Sequence, residues 1–100
     1  MKIKVQMLAF CEPGTIREVD IPQNEVTSTN ILDLVFKYGQ NDFQPQKCPS
    51  VSVGDIIELG NDLFVVCPFG FHKVTNEEYT KFLMLDRRDR SFATYEFKGD

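Results

Sequence analysis

Apolar and polar residues alternate at the start of the chain, over residues 2–10. The odd positions are apolar and share one face, whereas Lys2 and Lys4 lie on the other, which is the pattern of a half-buried β-strand. A Glu-Pro-Gly sequence follows and favours a turn, because proline presets φ and glycine accepts positive φ. Residues 15–21 then form the returning strand, so the chain is predicted to begin with a β-hairpin.

The spacing of apolar residues changes to that of a helix after Asn30. One helical face is formed by residues three or four positions apart, which are Ile31, Leu34, Val35 and Tyr38. Phe36, together with Leu32, widens this apolar stripe. Ser28 or Thr29 is expected to cap the start of the helix, and Gly39 its end.

The second half of the chain contains another predicted hairpin and another helix. Residues 56–59 and 63–67 flank a Gly-Asn-Asp loop, and the continuous apolar run in the second of these strands is typical of a strand inside a sheet. Thr75 and Glu78 form a capping-box pattern, which predicts a helix over residues 76–85.

The last segment is predicted to be a charged turn followed by a strand. Residues 86–90 carry alternating charges typical of a solvated turn, and residues 92–97 alternate as a strand does. The order of elements is therefore ββαββαβ over residues 1–100. We expect a single α+β domain with a mainly antiparallel sheet and two helices.

Length and charge narrow the function classes. The chain has 100 residues, which fits one domain, and a formal net charge of −4 argues against extensive phosphate binding. The longest apolar run, residues 63–71, is interrupted by Pro68 and Gly70 and is far shorter than the ~20 residues of a membrane helix. The N-terminus lacks the apolar stretch of a secretory signal. These features predict a cytoplasmic protein without a membrane partner.

Cysteine and histidine offer little for metal or covalent chemistry. The chain has three cysteines without a C-x-x-C pair and one histidine, so we expect reduced thiols, no metal and no cofactor. Cys67 and His72 are five residues apart, and a loop between them would allow a small-molecule enzyme or sensor. The alternative, which we favour, is that Cys67 packs in the core as a small hydrophobe.

Two segments carry the residue types of a recognition surface. The first follows the predicted helix and combines amides with aromatic and acidic side chains, namely Tyr38, Gln40, Asn41, Asp42 and Gln44. A helix cap followed by an Asx turn is the structural alternative. The second segment contains Phe69, Phe71 and His72 around a glycine. If its two phenylalanines are exposed, they form an apolar patch suited to a protein partner; otherwise they cover the core.

A basic segment with nearby aromatic residues supports a second hypothesis, binding of nucleic acid. The residues concerned are Arg87, Arg88, Arg90, Phe92 and Tyr95. The acidic balance of the chain ranks this hypothesis below protein binding.

One part of the chain resembles a known family. The sequence Ser-Val-Ser-Val-Gly-Asp-Ile-Ile at residues 50–57, followed by Phe-Gly-Phe at 69–71, is similar to the YodL-like domain. The Tyr-Gly-Gln-Asn-Asp element at residues 38–42 is similar to small phage and mobile-element proteins that share this core. The similarity covers about residues 34–73. It implies an intracellular accessory domain with no established catalytic residues and a protein partner, conceivably one of the host.

No catalytic motif accompanies these segments. The chain lacks the phosphate-binding, metalloprotease and nucleophile-elbow patterns of common enzymes. The leading hypothesis is therefore a non-enzymatic module that binds a protein.

Overall fold

The structure, a computed structural model, describes residues 1–11, 13–27, 29–40 and 50–97. The strands are β1 (Lys2–Gln6), β2 (Ile16–Asp20), β3 (Ile56–Leu59), β4 (Asp62–Cys67) and β5 (Gly70–Val74). The helices are α1 (Ile31–Tyr38), α2 (Asn76–Met84) and α3 (Arg87–Ala93), and a single 3₁₀ turn covers Gln23–Glu25.

The strands form one sheet in the order β2-β1-β3-β4-β5, and each neighbouring pair is antiparallel. β1 and β2 form the predicted first hairpin. The chain then passes through α1 before β3 pairs with the free side of β1, with Val5 opposite Ile57. β3 and β4 form the predicted second hairpin, whose turn contains Gly60 at a φ of 62°.

Helices pack on both faces of the sheet. Ile56 and Ile57 are both fully buried, although neighbouring residues of a strand point to opposite faces. On the Ile57 face, α1 buries Leu34 and Val35. On the Ile56 face, α2 buries Phe82. This architecture confirms the α+β class and the antiparallel sheet.

Local sequence signals place α1 and α2 where they were predicted. The Thr75 hydroxyl accepts from the Glu78 N–H at 3.1 Å, and the Glu78 carboxylate accepts from the Thr75 N–H at 2.9 Å, which completes the capping box. Gly39 is the C-cap of α1, as predicted. The predicted N-cap of α1 is wrong. That position belongs to Asn30, whose side-chain oxygen accepts from the N–H of Thr27 outside the helix.

The prediction of a strand over residues 92–97 is wrong, because residues 87–93 form the helix α3. The Asp86 carboxylate accepts from the Asp89 N–H at 2.8 Å and caps this helix. Arg90 and Thr94, four positions apart, are both buried, so the segment follows a helical period. The described residues therefore contain three α-helices where two were predicted.

The fifth strand of the sheet lies earlier in the chain than predicted. Residues 70–74 pair with β4 over five positions, from Leu63 opposite Val74 to Cys67 opposite Gly70. The turn between β4 and β5 needs only Pro68 and Phe69. Gly70 begins the strand with a φ of 119°, a conformation that glycine adopts easily.

Candidate functional site: an apolar groove beside the β4–β5 turn

A groove of about 230 Å³ lies between α1 and the turn that joins β4 to β5. Phe36 lines it from the helix, Val53 from the loop before β3, and Pro68 and Phe71 from the turn and β5. This volume is below the roughly 300–1,000 Å³ of pockets for drug-sized ligands. The groove is therefore suited to a side chain of another molecule.

Phe69 lies in the β4–β5 turn between Pro68 and Gly70, which both line the groove, although Phe69 itself is not part of the lining. Its surface is 88% exposed, and Phe36 within the groove is also exposed. Phe71 is half-buried and packs against the core on the Ile57 face. Of the three residues predicted in this segment, Phe71 lines the groove, and Phe69 adjoins it through its chain neighbours.

Sequence reasoning assigned Phe36 to the buried stripe of α1 and did not single out Asp33 as a site residue. With 100° between successive residues, Phe36 lies well away from the direction shared by Leu34 and Val35. The sequence signal for an exposed Phe36 was the position of this large aromatic residue away from the centre of the apolar stripe. Both Phe36 and Asp33 line the groove from α1.

Asp33 supplies the only charged side chain of the groove lining in the described part of the chain. It is exposed and sits in the first turn of α1, where a carboxylate is favourable. The nearby cation of β5, Lys73, is already paired with Asp62 of β4 at 3.4 Å. The groove thus combines apolar walls with one acidic edge.

His72 faces the opposite side of the sheet from Phe71. Its Nε2 atom lies 3.1 Å from the Glu78 carboxylate, and its ring stacks on Phe97 with a centroid distance of 4.5 Å. The backbone N–H of Thr75 and the His72 side chain together lower the pKa of Glu78. His72 therefore belongs to the packing of α2 and the C-terminal segment, away from the groove.

The predicted recognition segment after α1 is only partly within the described residues. The Tyr38 hydroxyl donates to the Glu25 carboxylate at 2.5 Å. The Gln40 amide donates to the carbonyls of Phe36, at 2.7 Å, and Val51, at 3.1 Å. Both side chains thus make contacts inside the chain. The remaining members, Asn41, Asp42 and Gln44, lie outside the described residues.

Asp55 fixes the loop that forms one wall of the groove. Its side chain is fully buried and accepts from the N–H groups of Ala9 and Ser52, each at 2.8 Å. The Asp55 N–H in turn donates to the Ser52 carbonyl at 3.0 Å. These bonds hold the intervening Val53 and Gly54 in place. The carboxylate thus acts inside the fold, where its partners are backbone N–H groups.

Cys67 and His72 lie on the same face of β4 and β5 but two residue pairs apart, since Cys67 is opposite Gly70 and His72 is opposite Val65. Cys67 is buried, and its thiol is 3.6 Å from the Val65 carbonyl, whereas the His72 imidazole contacts Glu78 and Phe97. These contacts are those of a packed thiol and a packed ring. They favour the structural interpretation of Cys67.

In the folded protein, Cys67 is expected to react with iodoacetamide roughly tenfold more slowly than the half-buried Cys11, because a buried thiol reacts only when the structure opens. Peptide mapping by mass spectrometry at timed intervals measures both rates. In denaturant the two rates should converge. Labelling of Cys67 that is faster than that of Cys11 in the native state would indicate an activated thiol and support the hypothesis of an enzyme or sensor.

The three arginines of the basic segment are not presented together. Arg90 is only 4% exposed, and its guanidinium donates to the carbonyls of Leu85, at 2.5 Å, and Leu8, at 3.1 Å. Arg87 donates to the Phe10 carbonyl at 3.2 Å, and Arg88 lies over the Phe92 ring at 5.9 Å. Arg90 thus joins α3 to the first hairpin and is unavailable to a nucleic acid.

Comparison with known proteins gives no relative for this chain: no family model, curated protein or solved structure matches it. Within the described residues, no cluster of three metal-ligating side chains occurs. The helices of the described segments are all too short to cross a membrane.

Proposed function

We propose that this protein is a non-enzymatic binding module of the cytoplasm whose groove beside the β4–β5 turn receives an apolar side chain of a partner protein. The observation that carries this proposal is the exposure of Phe36 in the groove lining together with the 88% exposure of Phe69, whose chain neighbours Pro68 and Gly70 line the groove. Full burial of a phenylalanine contributes about 1.5–3 kcal/mol, so two such side chains supply a sizeable part of a protein–protein affinity.

The shape of the site favours a protein over a small molecule. The groove is open and small, its walls are apolar, and Phe69 extends beyond it, so a ligand that covers both needs a broad surface. Exposed aromatic residues that surround a pocket are typical of the central anchors of protein interfaces. A phage or mobile-element accessory factor, which the resemblance of residues 34–73 to the YodL-like domain implies, would be a protein of this kind, but no family model matches the chain and the groove alone carries the proposal.

Nucleic-acid binding is the second candidate, and one observation favours it. Arg88 and Phe92 lie on the exposed side of α3, and Tyr95 lies in the turn directly after the helix; the Phe92 and Tyr95 side chains are 60% and 70% exposed. Acidic neighbours accompany them, including Asp89 and Glu96. This surface ranks below the groove because its charge is mixed and Arg90 is withdrawn from it.

The two candidates are separated by matched variants. The double variant Phe36→Ser/Phe69→Ser removes both exposed rings of the groove, and Phe92→Ser removes an exposed ring from α3. Tagged proteins are incubated with nuclease-treated lysate of the cells that express the gene, and bound proteins are quantified by mass spectrometry. Thermal melts verify that all three proteins are folded.

We expect a protein that is recovered equally with the wild type and Phe92→Ser and at least about tenfold less with the groove variant, since loss of 1.4 kcal/mol is a factor of ten. Equal recovery with the groove variant would contradict the proposal. Capture that depends on Phe92 and is lost after nuclease treatment would instead support binding of nucleic acid.

A further inference from the structure

The strand β5 forms one edge of the sheet. It pairs with β4 along its inner side, and in the described part of the chain no strand lies on its outer side. The backbone hydrogen bonds of turns and loops also leave the outer side of residues 71–74 without a described backbone partner. An open edge presents a row of N–H and C=O groups on which another strand can pair.

The other edge of the sheet, β2, is protected in the way that natural edge strands often are. It carries Arg17, Glu18 and Asp20 within five residues, and charged side chains oppose pairing with a further strand. In β5 the only Lys, Arg, Asp or Glu is Lys73, whose charge is offset by Asp62 of the neighbouring strand. The two edges therefore differ, and β5 is the one suited to accept a strand.

The groove lies at this same edge, on the Ile57 face of the sheet. Gly70 and Phe71, the first residues of β5, form part of its lining, and Asp33 lies across from them on α1. In an extended strand, residues two apart point to the same face and are about 6.6 Å apart, at roughly 3.3 Å per residue. One side chain of an added strand can thus enter the groove while the side chain two positions away approaches the Asp33 carboxylate.

We propose that the partner binds as an extended segment added antiparallel or parallel to β5, with a large apolar side chain in the groove and a lysine or arginine two positions away at Asp33. This inference rests on the proposed function and specifies its partner. The commitment to a basic residue follows from charge complementarity, because Asp33 has no ion pair in the described structure. Main-chain bonds supply affinity, and the two side chains supply specificity.

A helical ligand fits the same site less well. A helix in a groove is held by anchors at i, i+3 or i+4, and i+7, which spread over about 10 Å of its length. A groove of about 230 Å³ receives too few of these anchors. The small volume and the adjacent open edge together favour the extended ligand.

The first test is selection from a phage library of random 12-residue peptides on the purified protein. We expect enriched peptides that alternate β-branched residues and share an aromatic or aliphatic residue with a lysine or arginine at i+2. Asp33→Lys should weaken the best peptide at least about tenfold, whereas Glu18→Lys, an equal charge reversal on β2, should change its affinity less than twofold. Absence of enrichment, or peptides with helical spacing, would overturn the proposal.

The second test follows backbone amides of the ¹⁵N-labelled protein by hydrogen exchange with and without the best peptide. Strand addition predicts slower exchange at alternate amides of β5 and no change in β2. Binding that requires Phe36 and Phe69 but leaves β5 unprotected would overturn strand addition while keeping the groove as the site. Protection of β5 that appears with rising protein concentration alone would identify a second copy of this chain as the occupant and overturn the proposal of a foreign partner.

Discussion

Asp55→Ala is expected to destabilise the protein by about 3 kcal/mol at pH 4.5 and by only about 1 kcal/mol at pH 7.5. At the lower pH the substitution leaves the buried N–H groups of Ala9 and Ser52 without an acceptor, at about 1–3 kcal/mol each. Because Asp55 is fully buried, no solvent replaces the lost bonds. The loop that carries Val53 into the groove is loosened in the same step.

The smaller effect at higher pH follows from the charge on the same carboxyl. Burial raises the pKa of Asp55 from 3.8 to about 6, although the N–H groups of Ala9 and Ser52 and the charge of Arg17 lower it in part. The folded state therefore binds this proton more tightly than the unfolded state does. The stabilisation contributed by the protonated Asp55 carboxyl is therefore fully present below about pH 4. It is lost as the pH rises through the folded-state pKa of about 6. At 1.36 kcal/mol per pKa unit, the loss between pH 4.5 and pH 7.5 is about 2 kcal/mol.

Urea unfolding of the wild type and Asp55→Ala at the two pH values measures this difference. Both proteins keep Glu78, whose lowered pKa contributes a pH dependence of the opposite sign, so that contribution cancels in the comparison. Asp33→Ala removes an exposed carboxylate remote from this loop and should retain the pH dependence of the wild type. A destabilisation by Asp55→Ala that is equal at pH 4.5 and 7.5 would contradict the account of the buried carboxyl.

Gly39→Ala is expected to destabilise the protein by about 3 kcal/mol, at the upper end of what overpacking costs. A methyl group at Gly39 would meet the Val35 carbonyl oxygen at 2.8 Å and the Val51 Cβ at 2.9 Å, and it would clash still more closely with Val51 Cγ2. The backbone has little room to move. The Gly39 carbonyl accepts from the Arg17 guanidinium at 2.8 Å and from the Val51 N–H at 3.1 Å.

Two further variants separate lack of space from backbone conformation. Gly39 has a φ of −76°, which any residue adopts, so its requirement for glycine arises from the close approach of Val51. Gly60→Ala places a methyl group in open space but at a φ of 62°, and should cost only about 1 kcal/mol. Gly39→Ala/Val51→Ala should recover part of the lost stability. If the free energies of unfolding of the two single variants are equal, the steric explanation is wrong.

These two residues show what the sequence could and could not predict. Gly39 was predicted as a helix cap from its place after the apolar stripe of α1, and this position is confirmed. The close contact with Val51 joins segments distant in sequence and has no local signature. Asp55 likewise has no motif that reveals its bond to Ala9, 46 residues away.

Local patterns predicted elements correctly where propensity, capping and apolar period agreed. In α2 the Thr75 capping box and the stripe around Phe82 point to the same helix. In α3 the local signals disagree, because the buried position of the helix is occupied by the charged residue Arg90 and not by an apolar one. A charged residue normally indicates a solvated face, and only its contacts with Leu85 and Leu8 explain its burial.

The candidate site was partly predictable for the same reason. The sequence left open whether Phe69 is exposed or covers the core, and its exposure is explained only by the two-residue turn between β4 and β5, where a large side chain has little to pack on. The contributions of Asp33 and Phe36 depend on how α1 packs across the sheet. His72 and Phe71 are neighbours in β5, so their side chains point to opposite faces of the sheet. This separation could not be predicted because residues 68–72 were interpreted as a loop.

The most direct test of the groove as a protein-binding site is photo-crosslinking in living cells with p-benzoylphenylalanine placed at Phe69 or, as a control, at Phe92. Both positions are exposed, but Phe69 lies in the turn whose neighbouring residues line the groove, whereas Phe92 lies on α3 and neither it nor its chain neighbours belong to the lining. The account predicts a discrete protein adduct from position 69 that disappears when Phe36→Ser is added, and no matching adduct from position 92. The same adduct from both positions, or from position 92 alone, would contradict it.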